Sequence, residues 1–91
     1  MNYKIIIKPT AEKDLKILKK NEPVAYRKAT QLIQELGEHP ASGTGHPKPL
    51  GGDRSGQWSR RITDEHRLVY KIEEETITVL VLSTYGHYDD K

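Results

Sequence analysis

The 91-residue chain has no cysteine and no phenylalanine, with a single tryptophan and a single methionine. Without cysteine there is no disulfide framework, no thiolate metal centre and no redox chemistry at sulfur, and a reducing cytoplasm suits the chain. Long apolar runs are missing too. The longest is far too short to span a bilayer, and the isoleucines ahead of Lys8-Pro9 are too few for a signal-peptide core. Hydrophobic residues make up 34% of the chain, which is low, but they are periodic, so the pattern argues against disorder. A domain of this size buries only about two-thirds of its unfolded surface, so modest stability is expected.

What is present is charge, unevenly placed. The net charge is +2, yet residues 4–71 carry 14 basic and 8 acidic side chains, whereas residues 72–91 carry one basic and five acidic. A basic body points to an anionic partner. Residues 3–8 read as a β-branched strand ended by Pro9, with Thr10 as the N-cap of a following helix. Ala11, Leu15 and Leu18 then mark one helix face. After Pro23, Ala25, Ala29, Leu32, Ile33 and Leu36 mark another, ended by Gly37. Residues 38–56 are too rich in Gly and Pro for a helix and read as a long loop. Three strands follow at 57–63, 66–72 and 76–83, the last the most apolar and therefore expected at the sheet centre. The order β-α-α-β-β-β predicts one α+β domain over residues 1–91, with a mostly antiparallel sheet and a helical hairpin packed on one face.

In this register Trp58, Arg60 and Ile62 share one side of their strand, and Gln57, Ser59, Arg61 and Thr63 the other. Leu68, Tyr70 and Ile72 likewise oppose Arg67, Val69 and Lys71. If the two strands pair as a hairpin, Arg61 and Arg67 share the helix-free face, where two guanidiniums suit a phosphate. The alternative is that both are solvated and paired with Asp64 and Glu65. His87-Tyr88 could supply a proton donor, a base and a stacking surface, or could simply cover the sheet edge. The four histidines show no metal-ligand spacing, so no metal and no cofactor are expected. The lysines of helix 13–20 read first as a solvated face, though Lys13 and Lys16 could track a phosphate backbone.

The stretches His46-Pro47-Lys48-Pro49-Leu50, Ser55 through Tyr70 and Tyr85-Gly86-His87-Tyr88 together resemble the YoeB/Txe family of bacterial toxins, within the RelE/ParE toxin–antitoxin superfamily. The resemblance covers nearly the whole chain and implies a RelE-like fold. It also implies a ribosome-dependent mRNA endonuclease that cuts A-site codons by metal-free attack of the ribose 2′-hydroxyl on its own phosphate. By the same resemblance Arg67 contacts the scissile phosphate, His87 is a general acid or base and Tyr88 positions the RNA. Arg61 would belong to the same basic surface, and from the charge pattern Arg60, Lys13 and Lys16 are expected to add to RNA binding. The implied partners are a YefM/Axe-like antitoxin, the bacterial ribosome with its mRNA, and a second copy of the chain, with no membrane.

One departure stands out. Where the family's Pro-Glu-Pro-Leu carries a glutamate general base, this chain has Lys48. A lysine at its ordinary pKa of about 10.4 is a poor base near neutral pH. Three readings follow. Lys48 is a base made competent by its cationic surroundings, or a charge stabiliser while His87 takes the proton, or a change that weakens activity. Glu65, two residues before Arg67, is the alternative base, though it reads first as a structural ion-pair partner. The competing readings of the whole chain are a non-catalytic ribosome or RNA binder, altered at Lys48, and a ParE-like gyrase poison, which the His-Tyr ending and the Arg-rich run argue against.

Overall fold

A computed structural model describes residues 2–54 and 56–86. Strand β1 (Lys4–Ile7) leads into helices α1 (Pro9–Asn21) and α2 (Pro23–Leu36). A two-residue strand β2 (Lys48–Pro49) and a 3-10 turn (Gly52–Arg54) follow, then β3 (Gln57–Arg61), β4 (Arg67–Glu73) and β5 (Thr78–Ser83). The sheet order is β1-β5-β4-β3-β2, with β1 parallel to β5 and every other pair antiparallel. The expected α+β architecture is therefore the observed one. No helix among the described residues is long and apolar enough to cross a membrane.

The expected ends and centre shift in three places. Pro9 begins α1 instead of stopping β1: it occupies the first helical turn behind Lys8, where its fixed φ and missing N–H cost nothing, so Thr10 is not the cap. The long loop contains β2, which pairs Lys48 with Ser59 and Pro49 with Trp58. The middle strand is β4; β5 lies between it and β1. Two apolar strands are thus interior, and the more apolar one is not the central one.

The helical hairpin covers one face of the sheet. Ala11, Leu18, Ala25, Ala29, Leu32, Ile33 and Leu36 pack with Leu68, Tyr70, Val79 and Val81 into a single core, with Trp58 partly buried against it. Arg60 lies on this same side and is completely buried. Its Nη1 pairs with Glu35 at the end of α2. Nη2 donates to the carbonyls of His39 and of Ser42, the latter at 2.7 Å, Nη1 reaches the Thr44 carbonyl at 3.3 Å, and Nε donates to the Tyr70 hydroxyl at 3.2 Å. Tyr70 in turn donates to the Pro40 carbonyl at 2.6 Å. Glu35 also accepts from the Thr44 amide at 2.7 Å and the Thr44 hydroxyl at 3.0 Å. Partial burial pushes the Glu35 carboxyl up, but the Thr44 bonds and the Arg60 guanidinium outweigh it and hold the group below its ordinary value.

This network replaces secondary structure across residues 39–44. Gly43 is required there, because its φ of 107° is left-handed and a Cβ would overlap the Glu35 carboxylate.

Removing one member of a buried ion pair leaves the other uncompensated. Arg60→Met should therefore lower the unfolding free energy by about 3 kcal/mol or more in a urea titration. Glu35 has a second signature. Its depressed folded-state pKa stabilises the protein fully above the unfolded value near 4.5, and that contribution is lost as pH falls through the lower folded value. Urea midpoints followed downward from about pH 4.5 should show this loss in the wild type, and Glu35→Gln should lack that component.

Candidate active site

The helix-free face gathers the basic residues. Arg61 and Arg67 are direct cross-strand partners in the β3–β4 ladder, and Ser59 pairs with both Val69 and Lys48. Partners directly opposite one another point to the same face. Lys48, Ser59, Arg61 and Arg67 therefore line up on one side, and with Gly45 and His46 they enclose a cleft of about 200 Å3. Ser59 is buried at its floor, while His46, Lys48 and Arg61 are exposed. A neighbouring cleft of about 390 Å3 is lined by His46 and Arg61 again, together with Lys28 and Thr63.

The loop that Arg60 organises supplies one wall of this cleft. Gly45, with φ of 87°, lies so close to β3 that its carbonyl accepts from the Arg61 amide at 2.7 Å. His46 follows, also left-handed, with φ of 53°. Such a conformation is uncommon outside glycine and gathers at functional sites. Two left-handed residues in succession turn the chain so that Lys48 enters the sheet beside Ser59.

Arg67 is half-buried, and its Nη1 donates to the Thr63 carbonyl at 2.8 Å and more weakly to that of His66. Among the described residues its guanidinium is held by these carbonyls, not by the expected Glu65 carboxylate, so the charge is oriented without being neutralised. Arg61 does pair with Asp64, as one reading anticipated, but both groups are exposed and the pair is of little energetic weight.

The other predicted residues fall in three places. Arg60 is on the core side of β3, so its assignment to an RNA-binding surface is overturned: no part of it reaches solvent. Lys13 and Lys16 are exposed on α1, across the sheet from the cleft, and do not join it. His87 and Tyr88 lie outside the described residues. The chain leading to them does not: the Gly86 carbonyl accepts from the Arg67 amide at 3.0 Å.

A residue without an assigned role secures that approach. His66 is buried, and its Nδ1 accepts from the Gly86 amide at 2.8 Å. With Nδ1 accepting, Nε2 carries the proton and donates to Glu22 at 3.0 Å. Its ring lies 4.6 Å from that of Tyr85. Asp14 adds a second tie, accepting from the buried Thr84 amide at 3.0 Å. No spacing in the sequence marks His66 for this role, because both of its partners are distant along the chain. Ligand atoms of Glu22, Glu65 and His66 do lie within 4.8 Å of one another, yet both ring nitrogens already have protein partners.

The sequence over residues 7–88 matches the model of the YoeB-like toxins of bacterial type II toxin–antitoxin systems. The chain belongs to this family. Over 54 residues it is 54% identical to Toxin YoeB of Mycobacterium bovis, a match covering 59% of this chain and 64% of that protein. The YoeB/ParE toxin structure from Agrobacterium tumefaciens superimposes with a TM-score of 0.86 at 33% identity, covering 93% of this chain and 99% of the other. Two Staphylococcus aureus structures, a YoeB dimer and a YoeB–YefM complex, give TM-scores of 0.82 and 0.80, each at 30% identity and each covering 97% of this chain and 100% of the other.

The two bonds of His66 can be separated by substitution. In His66→Asn the amide oxygen can still accept from Gly86, whereas His66→Gln can reach Glu22 but gives Gly86 no acceptor. Amide hydrogen exchange at Gly86 should stay slow in the first variant and accelerate by about tenfold or more in the second, the loss expected for one hydrogen bond of about 1.4 kcal/mol.

Proposed function

We propose that this toxin-family chain is a ribosome-dependent mRNA endonuclease acting in the bacterial cytoplasm. The observation that carries the reading is the juxtaposition of Lys48, Arg61 and Arg67 on one face around a single cleft. Three cations there, with no carboxylate in the lining, suit the phosphodiester backbone of RNA. The larger groove of about 430 Å3 beside Pro23 and Val24 is lined by Glu22, Asp64 and Glu65 and offers an anion nothing.

The chemistry needs no ion or cofactor from elsewhere. The 2′-hydroxyl oxygen attacks the adjacent phosphorus, the P–O5′ bond breaks, and a 2′,3′-cyclic phosphate and a 5′-hydroxyl result. Arg67, with its guanidinium fixed by two carbonyls, is placed to meet the charge that develops on the phosphoryl oxygens. Arg61 and Lys48 add to that field. We assign proton transfer to His87 and RNA stacking to Tyr88. Support comes from Gly86, the last described residue before them, whose carbonyl accepts from the Arg67 amide at the start of β4.

A YefM-like antitoxin and a second copy of the chain are the proposed protein partners, as in the Staphylococcus aureus complex and dimer. An acidic or apolar antitoxin segment that folds over the Arg61–Arg67 face would block the cleft.

Primer extension on mRNA translated in vitro tests the reading. Codon-phased cuts should appear with the wild type and fall by about 100-fold or more in Arg67→Ala, the loss typical of one stabilising donor. His87→Ala should abolish them, and Lys48→Ala should slow them by about tenfold. Growth arrest with intact message would favour the non-catalytic binder instead.

A further inference from the structure

We infer that His46 is the general base that takes the proton from the attacking 2′-hydroxyl, an assignment that rests on the endonuclease reading above. The cleft that holds Arg67 is lined by Gly45, His46, Lys48, Ser59, Arg61 and Arg67. In-line attack by a ribose hydroxyl needs a group there that can accept a proton near neutral pH. Arginine cannot, and lysine and serine ordinarily do not. Imidazole is the side chain whose charge ordinarily changes between pH 5 and 8. His46 is the one imidazole in that lining.

Its placement adds to the chemistry. His46 is exposed, so its ring is open to substrate, and it lines both clefts that meet at Arg61. It adopts a left-handed backbone that a glycine would hold without strain, immediately after a glycine that does so. No hydrogen bond or ion pair to its side chain is found among the described residues, in contrast to His66, whose two ring nitrogens are both engaged. The backbone of His46 shapes the turn into β2, but its exposed ring holds nothing in place; it lines the clefts together with Lys48 on β2, Arg61 on β3, Arg67 on β4 and Lys28 on α2.

The step balances. The 2′-O–H bond breaks and its proton moves to a ring nitrogen of His46. The oxygen forms the new bond to phosphorus as the P–O5′ bond breaks, and the departing oxygen takes a proton from the imidazolium of His87. His46 then returns its proton to water. His87 thereby becomes the acid of the pair, and Lys48 is left as a charge on the phosphate.

The test uses the full chain in single-turnover cleavage on programmed ribosomes. His46→Gly suits the observed φ and should fold. It should bind ribosomes with unchanged affinity and cleave about 100-fold or more slowly, the scale of one general base. Added imidazole should restore the rate, and substituted imidazoles should do so in order of their basicity. His39→Ala, which alters an exposed histidine side chain that lines neither cleft, should cleave like the wild type. Cleavage by His46→Gly within threefold of wild type overturns the assignment, and so does a slow variant that imidazole does not rescue. A wild type that cuts no message overturns the endonuclease reading and the assignment with it.

Discussion

Arg60 is the constraint on which the rest of the structure depends. A charged side chain without solvent contact is tolerated only when its charge and its donors are met. Here Glu35 supplies the charge, and the carbonyls of His39, Ser42 and Thr44 take the remaining donors, with Tyr70 on Nε. The demand runs in both directions. Residues 39–44 have no ladder of their own, and the guanidinium satisfies the carbonyls of His39, Ser42 and Thr44 while Tyr70 takes that of Pro40. A fixed fork of five donors can serve a loop in this way; a lysine, with a single compact charge, could not.

The cleft on the helix-free face inherits its geometry from that hub. Because residues 39–44 are held by Arg60, Gly45 can lie along the edge of β3 against the Arg61 amide, and the chain then turns through His46 into β2. Adjacent residues of β3 thus do opposite jobs. Arg60 faces the core and anchors the loop, while Arg61 faces outward and lines the cleft that the loop completes. On the facing strand, at the same end of that ladder, His66 and Arg67 repeat the division. His66 points inward and pins Gly86 and Glu22, while Arg67 opens toward the cleft.

Most of the architecture could be read from alternation. The periodicities of Ala11 to Leu36 and of Trp58 to Ile72 identify the buried faces, and they put Arg61 and Arg67 together before any coordinates. The same alternation places Arg60 on the core side. Reading it as an RNA contact weighed its charge above its register, and the register prevailed because Glu35, 25 residues earlier, was there to pair with it. That partnership has no local signature, since it closes through a loop of glycines and prolines. The β2 strand was illegible for a related reason: a two-residue pairing beside Pro47 and Pro49 leaves no period to detect. His66 was hidden because its role lies in two long-range bonds, not in any spacing of ligands. Pro9 and Thr10 show a smaller conflict, in which fixed φ at the first helical position outweighed a hydroxyl one residue later.

The substitution that set this chain apart in sequence, Lys48, gains a definite meaning from the cleft. In the proposed reaction Lys48, Arg61 and Arg67 would attract a phosphate in the ground state and in the transition state alike, and binding shared by both states does not accelerate the chemical step. Rate must come from groups whose interaction grows as bonds change. Arg67 is one, since the charge on the phosphoryl oxygens increases in front of a guanidinium that need not reorganise. A proton acceptor is the other, and a lysine beside two arginines makes the phosphate more tightly held without making the hydroxyl more nucleophilic. On the proposed endonuclease reading, lysine at this position adds to affinity for the phosphate, and the proton must then leave by another group in the same wall. The left-handed turn that brings Lys48 into the sheet is formed by the residue best suited to receive it.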